Sequence, residues 1–369
     1  MRIDSLHLED FRSYRDLTLE FDPVCNVICG ENAQGKTNLL EAMVCLSWGR
    51  SPRTRFDREL IRFGGEGYVI QGRLDSRGRT FVSRIQAAAG RKRKITVNGV
   101  PVKAAAELGQ VLGTVFFSPE DLLLIREGAA ARRRFMDASL CQLRPRYAGA
   151  LAEYNRLLEH KTRILRDSEE YPGLLDTLPD FNRRMAETGA VLIHYRCRFA
   201  RLLGQYAASA HGECSGGKEK LEVSYRTVSS VTDPFADTDR LTQQLLDHQR
   251  THHAAELAAR QCLSGPHKDD LEVKLGGLSA KSFASQGQTR TAALSLKLAA
   301  REIHREIMGE YPVLLLDDVL SELDPRRQEY VLNRIGGGQV FITCCEDDRL
   351  SALTAGRVFR VDAGTVTEL

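Results

Sequence analysis

Residues 30–37 read GENAQGKT: a glycine, four residues, a second glycine, a lysine and a hydroxyl side chain. The apolar run NVICG enters the first glycine as a strand would, and Leu39, Leu40, Met43 and Leu46 then recur at helical spacing until Gly49 stops the pattern. A strand, a glycine-rich turn and a helix in this order form a phosphate cradle. Small residues let backbone N–H groups face an anion, Lys36 reaches the terminal charges, and the Thr37 hydroxyl ligates magnesium. Gly30, Glu31, Asn32, Ala33, Gln34, Gly35, Lys36, Thr37 and Asn38 are therefore the expected nucleotide-binding residues.

A triphosphate site also needs a carboxylate for the metal and a base for water. VLLLDD, residues 313–318, predicts a buried strand with Asp317 at its tip facing magnesium and Asp318 as the base. Taken alone, the pair also suits an aspartate capping the helix after a strand. Asp317 lies 281 residues beyond Lys36, which predicts a second lobe inserted between two nucleotide-binding halves. Guanine recognition is excluded because His267-Lys268-Asp269-Asp270 lacks the Asn or Thr required ahead of Lys-x-Asp. In FASQGQTRT, Ser285, Gln286, Gly287 and Gln288 open a predicted helix and form either a plain cap or a second anion-binding corner. One chain cannot easily set two such corners on one triphosphate, so the second reading calls for a partner subunit.

The rest of the pattern fits this split. Short alternating runs through Ile3, Leu6 and Leu8 and through Leu17, Leu19 and Phe21 predict two N-terminal strands, and KITVNGVPV predicts a hairpin turned at Asn98-Gly99. From about Glu120 the period becomes helical, with Tyr147, Leu151, Tyr154, Leu158 and Leu165 on one face and Met185, Leu192, Tyr195, Phe199, Leu202 and Tyr206 on another. YPGLLDTLPD separates the two helices into arms of about 20 to 30 residues. After GECSGGK, period two returns in KLEVSYRTV and DLEVKLGG, and PVLLLDD, QVFIT and VFRV supply further strands. The expected architecture is an α/β head in two parts, residues 1–119 and 218–369, split by a helical lobe at 120–217.

Charge and cysteine content narrow the partners. The net charge of +3 conceals 15 basic against 7 acidic residues between Arg91 and Arg166, +8 locally and −5 elsewhere, which keeps a polyanionic partner open. No apolar run approaches the ~18 residues of a membrane helix, and MRIDSLHLEDF carries acids where a signal peptide is basic and then apolar. A cytoplasmic location without a membrane is expected. Nine cysteines, an odd count with no CxxC pair, fit reduced thiols and argue against a zinc ribbon.

LHLEDFRSYRDLTLEF, GENAQGKTNLLEAM, FFSPEDLLLIREG, RRRFMD, GPHKDDL, ASQGQTRTAALSLKLA and LLLDDVLSELD span the chain nearly end to end. Together they resemble the ABC-type P-loop ATPase heads of SMC-like proteins, and among these the RecF family of recombination mediators. The resemblance implies ATP and magnesium as cofactors, slow DNA-stimulated hydrolysis, an ATP-dependent homodimer on DNA, and action with RecO and RecR in loading RecA at gapped DNA and in the SOS response. It makes residues 30–37 the Walker A loop, Ser285 to Gln288 the signature reaching ATP across the dimer, Asp317 the Walker B acid, Ser321 to Asp324 the D-loop and Thr343 a γ-phosphate sensor. Three departures stand out. Asp318 replaces the glutamate of many cassettes, Lys268 replaces an expected arginine, and Cys344 and Cys345 stand where threonines are usual. FFSPEDL offers no Q-loop glutamine.

With DNA as the implied polyanion, Arg91, Lys92, Arg93 and Lys94 near the hairpin and Arg132, Arg133 and Arg134 at the start of the helical lobe are the expected phosphate contacts. The competing reading is basic faces paired with local acids. Aromatic residues interleave poorly with these arginines, which favours the backbone of a duplex or a single-strand/duplex junction over base stacking. The leading expectation is thus an ATP-gated DNA clamp. The alternatives are a non-hydrolysing ATP-binding scaffold for repair proteins and the ATPase module of a nuclease system. A transporter cassette is disfavoured by the missing LSGGQ string and switch histidine.

Overall fold

The two N-terminal alternating runs form antiparallel strands β1 (Arg2–Phe11) and β2 (Tyr14–Glu20), and NVICG continues as β3 (Cys25–Cys29), buried along its whole length. Helix α1 (Lys36–Trp48) follows the glycine-rich turn and ends at Gly49, whose φ of 67° and N–H bond to the Cys45 carbonyl terminate it as the pattern predicts. The computed structural model describes residues 1–345 and 356–369, and the chain divides into two units: Met1–Leu123 with Ala293–Leu369, and Leu124–Ala292.

The first unit holds two six-stranded sheets. In one, β1 and β2 continue into β4 (Gly67–Ser76), β5 (Arg79–Ala88), β6 (Lys94–Val97) and β7 (Val100–Pro101), in the order β2-β1-β4-β5-β6-β7 and antiparallel throughout. Asn98 and Gly99 close the β6–β7 hairpin at φ values of 50° and 79°, the left-handed pair that a tight turn requires. The other sheet joins β3 to β8 (Thr114–Phe117), β12 (Val313–Asp317), β13 (Val340–Cys344), β14 (Arg357–Asp362) and β15 (Thr365–Glu368), in the order β15-β14-β3-β13-β12-β8. All its pairs are parallel except β14 with β15. Helix α1 packs on strands of both sheets, so its apolar residues surround it instead of forming a stripe, and even Lys36, Glu41 and Ser47 are buried. Gly72 of β4 keeps the helix close, since a β-carbon there would stand 2.5 Å from the Leu46 side chain.

The second unit begins near the expected position but runs on to Ala292 instead of stopping at 217. Helices α2 (Ala129–Leu143), α3 (Pro145–Asp167), α4 (Leu178–Ser215) and α5 (Thr238–Ala259) form its helical part; α4, at 38 residues, exceeds the expected arm length. KLEVSYRTV and DLEVKLGG become β9 (Leu221–Arg226) and β10 (Asp270–Leu275), but they pair with each other, and β10 also with β11 (Leu278–Ser279), as a separate three-stranded sheet. The return of period two marks strands without saying which sheet they join. Short helix α6 (Ala280–Phe283) and the first turns of α7 (Gln286–Met308) complete the unit, and α8 (Pro325–Arg334) lies in the first.

The GPHKDDL string is structural within the second unit. Arg196, 2% exposed, donates to Asp137 (2.9 Å), Asp269 (3.1 Å), the Pro266 carbonyl (2.7 Å) and the Tyr147 hydroxyl (2.9 Å). A guanidinium this deeply buried survives because its donors find carboxylates and carbonyls. Lys268 between them is exposed.

His304 of α7 is buried against Gly113, and among the described residues neither ring nitrogen has a hydrogen-bond partner. Burial pushes its pKa down from 6.5 to about 4. The unfolded chain therefore takes up this proton first as pH falls, so stability is complete above about 6.5 and is lost between there and about 4. Denaturant titrations across that range should show a loss of up to about 3 kcal/mol from this group, and His304→Leu should flatten the slope correspondingly.

Candidate functional site

The loop from Gly30 to Gly35 is built on backbone that L-residues seldom adopt, with φ of 146° at Gly30, 66° at Ala33 and 119° at Gly35. Gly30 also has no room for a side chain, because a β-carbon would collide with the Val361 carbonyl; one on Gly35 would lie 2.7 Å from the Ser13 hydroxyl. The Tyr14 hydroxyl donates to the Gly35 carbonyl at 2.9 Å, and the Ala363 N–H donates to Gln34 at 2.6 Å, pinning the loop from two sides. Lys36, 5% exposed, turns its ammonium back into the loop and donates to the carbonyls of Gly30 (2.5 Å) and Glu31 (2.9 Å). The result is a concave run of peptide groups with a cation inside it at the start of a 13-residue helix, an arrangement that suits a phosphate chain.

Strands β3, β13 and β12 lie side by side in parallel, which places their C-terminal residues at one edge of the sheet beside this loop. Asp317 and Thr343 are register partners across β12 and β13. The Thr343 hydroxyl donates to Asp317 Oδ1 at 2.9 Å and accepts the Asp318 N–H at 2.8 Å, while the Thr37 hydroxyl donates to the same Oδ1 at 3.0 Å. Burial raises the Asp317 carboxyl above the ordinary carboxylate range; hydrogen bonds from Thr343 and Thr37 pull it back, the Asp318 charge adds to burial and Arg53 opposes it. Asp318 is half-buried and sits at φ 53°, a left-handed position that turns the chain sharply after the strand. The hydroxyl of Thr37 and the carboxylate of Asp317 are hard oxygen donors within hydrogen-bonding reach of each other, and they fit magnesium. Among the described residues no three His, Cys, Asp or Glu side chains gather as a metal cage, so a divalent ion here would complete its shell with phosphate oxygens and water.

Several residues at this site escape a reading of the string alone. Glu41, fully buried in α1, accepts a two-pronged bond from Arg12 (2.8 and 2.7 Å) and the Ser51 hydroxyl (2.5 Å). Arg53 approaches the same carboxylate at 3.5 Å and donates to Asn38 at 3.2 Å. The signal available for Glu41 is an acid inside an otherwise apolar helical run. Cys345 is exposed at the mouth of the loop, donating to Asn32 Oδ1 at 2.9 Å, with its sulfur 3.7 Å from the Lys36 ammonium, whereas Cys344 points into the core.

The remaining predicted residues divide. Ser285 and Gln288 cap α7 reciprocally, the Ser285 N–H donating to the Gln288 side chain (2.7 Å) and the Gln288 N–H to the Ser285 hydroxyl (3.2 Å). Ser285 and Gln286 remain exposed at that helix start, and Gly287 and Gln288 are half-buried. The Ser321 hydroxyl donates to the Asp318 carbonyl at 2.6 Å, and Asp324 caps α8. Arg132 does not suit its expected role as a phosphate contact. It is 6% exposed and forks onto Asp270 (2.7 and 2.9 Å) while donating to the Glu127 carbonyl (2.7 Å), so its charge is spent inside the second unit. Arg133 is half-buried and donates to the Asp269 carbonyl at 2.6 Å, which leaves Arg134 as the exposed member of the three. Arg91, Lys92 and Lys94 are exposed, and Arg93 pairs with Asp57 at 2.8 Å.

The family model described as RecF/RecN/SMC N terminal domain matches residues 2–366. DNA replication and repair protein RecF of Acetivibrio thermocellus is 38% identical over 366 residues, covering 99% of both chains, and that of Agathobacter rectalis is 38% identical over 368 residues with the same coverage. Among solved structures, the recombination mediator protein RecF with ATPrS in the RecFOR pathway aligns with a TM-score of 0.92 at 33% identity, covering 100% of this chain and 98% of that one. An Smc head domain from Pyrococcus furiosus aligns at 0.56 with 14% identity, a likeness of fold.

The Arg12–Glu41 pair offers a direct test of how the cradle is held. Arg12→Ala would leave the buried carboxylate with only the Ser51 hydroxyl and the more distant Arg53, and should cost up to about 3–5 kcal/mol in denaturant unfolding. Adding Glu41→Gln should restore part of that loss, because the uncompensated charge is gone.

Proposed function

The chain belongs to the RecF family, and from that premise we propose that it is an ATP-dependent DNA-binding protein of replication, recombinational repair and SOS induction. In this reading ATP joins two copies into a clamp on gapped or junction DNA, which with RecO and RecR promotes RecA loading, and slow hydrolysis controls release. The observation that carries the reading is the bonding of Thr37 and Thr343 to one oxygen of Asp317, which links the phosphate loop to the tip of the acidic strand.

The chain's own groups divide the work. Backbone N–H groups of the loop and the Lys36 ammonium bind the phosphates of ATP. Thr37 and Asp317 would hold magnesium, which when bound neutralises charge on the β- and γ-phosphates. Asp318 orients the attacking water and accepts its proton; its side chain is one methylene shorter than glutamate, which suits slow turnover. Thr343 keeps Asp317 and the Asp318 peptide in place. Ser285 to Gln288 of a second copy contribute the exposed start of α7 to the γ-phosphate, and Ser321 and Asp324 shape the segment after Asp318. Of the seven basic residues expected to meet DNA, Arg91, Lys92, Lys94 and Arg134 are exposed for its phosphates, Arg134 with Glu127 3.7 Å away.

The reading is tested by measuring mass and DNA affinity together with ATP, ADP or no nucleotide. ATP with magnesium should produce a dimer bound to gapped duplex. Asp318→Asn should slow hydrolysis by about 10²–10⁴-fold and lengthen the complex lifetime. A protein that stays monomeric and without DNA affinity in ATP would sink the proposal, whereas ATP-dependent assembly without measurable turnover would favour the non-hydrolysing scaffold.

A further inference from the structure

Between α1 and β4, residues 50–63 carry five arginines against two acids, together with two phenylalanines. Both rings are exposed, Phe56 at 57% and Phe63 fully, and Phe56 is the one with the Arg58 guanidinium over it. A single exposed ring is ordinary on a protein surface; its surroundings here are not. The segment is held in a defined conformation. The Ser51 hydroxyl, bonded to buried Glu41, accepts the N–H groups of Arg53 (2.9 Å) and Thr54 (3.1 Å), and the Phe56 N–H donates to the Thr54 hydroxyl at 3.1 Å. Farther along, the Arg12 N–H donates to the Leu60 carbonyl at 2.8 Å. The Arg58 guanidinium lies 5.2 Å from the Phe56 ring centroid, a cation–π contact that steadies the ring while leaving it open to solvent.

Both acids of the segment are engaged. Glu59 is bonded by Thr54, and Asp57 accepts from Tyr68 (3.1 Å) and from Arg93 (2.8 Å). The Asp57–Arg93 pair draws the basic loop of Arg91 and Lys92 to the residue next to Phe56. The pair thus brings exposed cations from two distant stretches of sequence to the segment that carries Phe56, within a single unit of the fold. Aromatic rings set among cations are how proteins hold single-stranded nucleic acid: the ring stacks on a base and the cations take the phosphates. Bases inside a duplex are already stacked on their neighbours, so the ring has a partner only where a base is unpaired.

We propose that Phe56 stacks on an unpaired base where a single strand meets duplex DNA, with Arg58, Arg91 and Lys92 on the adjoining phosphates. The inference rests on the reading of the chain as a DNA-binding ATPase and adds to it the group that distinguishes a gap from plain duplex.

The test is fluorescence anisotropy of the full chain with ATP and magnesium on single-stranded, duplex and gapped oligonucleotides. Phe56→Ala should lose about tenfold in affinity for the gapped and single-stranded probes and stay within about twofold on duplex, and Phe56→Tyr should bind like the parent. Arg91→Ala with Lys92→Ala should weaken all three probes and make the salt dependence shallower by about two. Unchanged gap preference in Phe56→Ala would overturn the inference, and so would an equal loss on duplex and gapped probes. If the parent protein bound none of the three, the DNA-binding reading itself would fail, and this surface would suit an acidic protein instead.

Discussion

The buried carboxylate of Glu41 is the point from which the glycine-rich loop and its helix are held. It lies in a helix packed on both sheets, where an unpaired charge would be intolerable, so Arg12 must close on it with both prongs. Arg12 belongs to the β1–β2 turn, next to the Ser13 and Tyr14 side chains that crowd Gly35. Ser51, bonded to the same carboxylate, organises the backbone that leaves α1. One ion pair thus couples the turn behind the phosphate loop, the helix that carries it and the basic segment beyond.

A second constraint is the sharing of Asp317 between two hydroxyls. Thr37 comes from the helix after β3 and Thr343 from β13, and both reach Asp317 because parallel strands in adjacent register end at the same edge. Burial raises the cost of the charged carboxylate, and the two hydroxyls offset part of it. Thr343 also fixes the Asp318 peptide, so the two adjacent acids are held by one hydroxyl. Cys345 adds a thiol beside the Lys36 ammonium, at the end of a strand whose preceding cysteine is buried.

Much of the head was legible because its elements have local causes. NVICG, the glycines, the apolar run of α1 and the acidic end of β12 each follow from periodicity or backbone freedom over fewer than about 15 residues. The second unit was legible as helices but not in extent, since alternation in β9 and β10 names strands without naming partners. The arginine triplet misled for a related reason. Arg132, Arg133 and Arg134 look alike in the string, but their positions on α2 separate an arginine buried against Asp270 from one in solvent. Ser285 and Gln288 of the α7 start form a capping box in the fold, a local arrangement compatible with both readings the string allowed.

Aromatic rings interleave poorly with the basic residues at 91–94 and 132–134, which argued against base stacking there. The Asp57–Arg93 pair changes this by bringing the Arg91 loop to the segment of Phe56. By itself the sequence determined the strand, glycine-rich turn and helix through residues 25–48, the strand that ends in Asp317 and the presence of an inserted unit, because each rests on spacing and on conformations that few residues can adopt. Only the tertiary structure decided which charges are free and which are consumed, since a charge is neutralised by whatever stands within a few ångströms of it, and neighbours in space are set by sheet order and packing rather than by position in the chain.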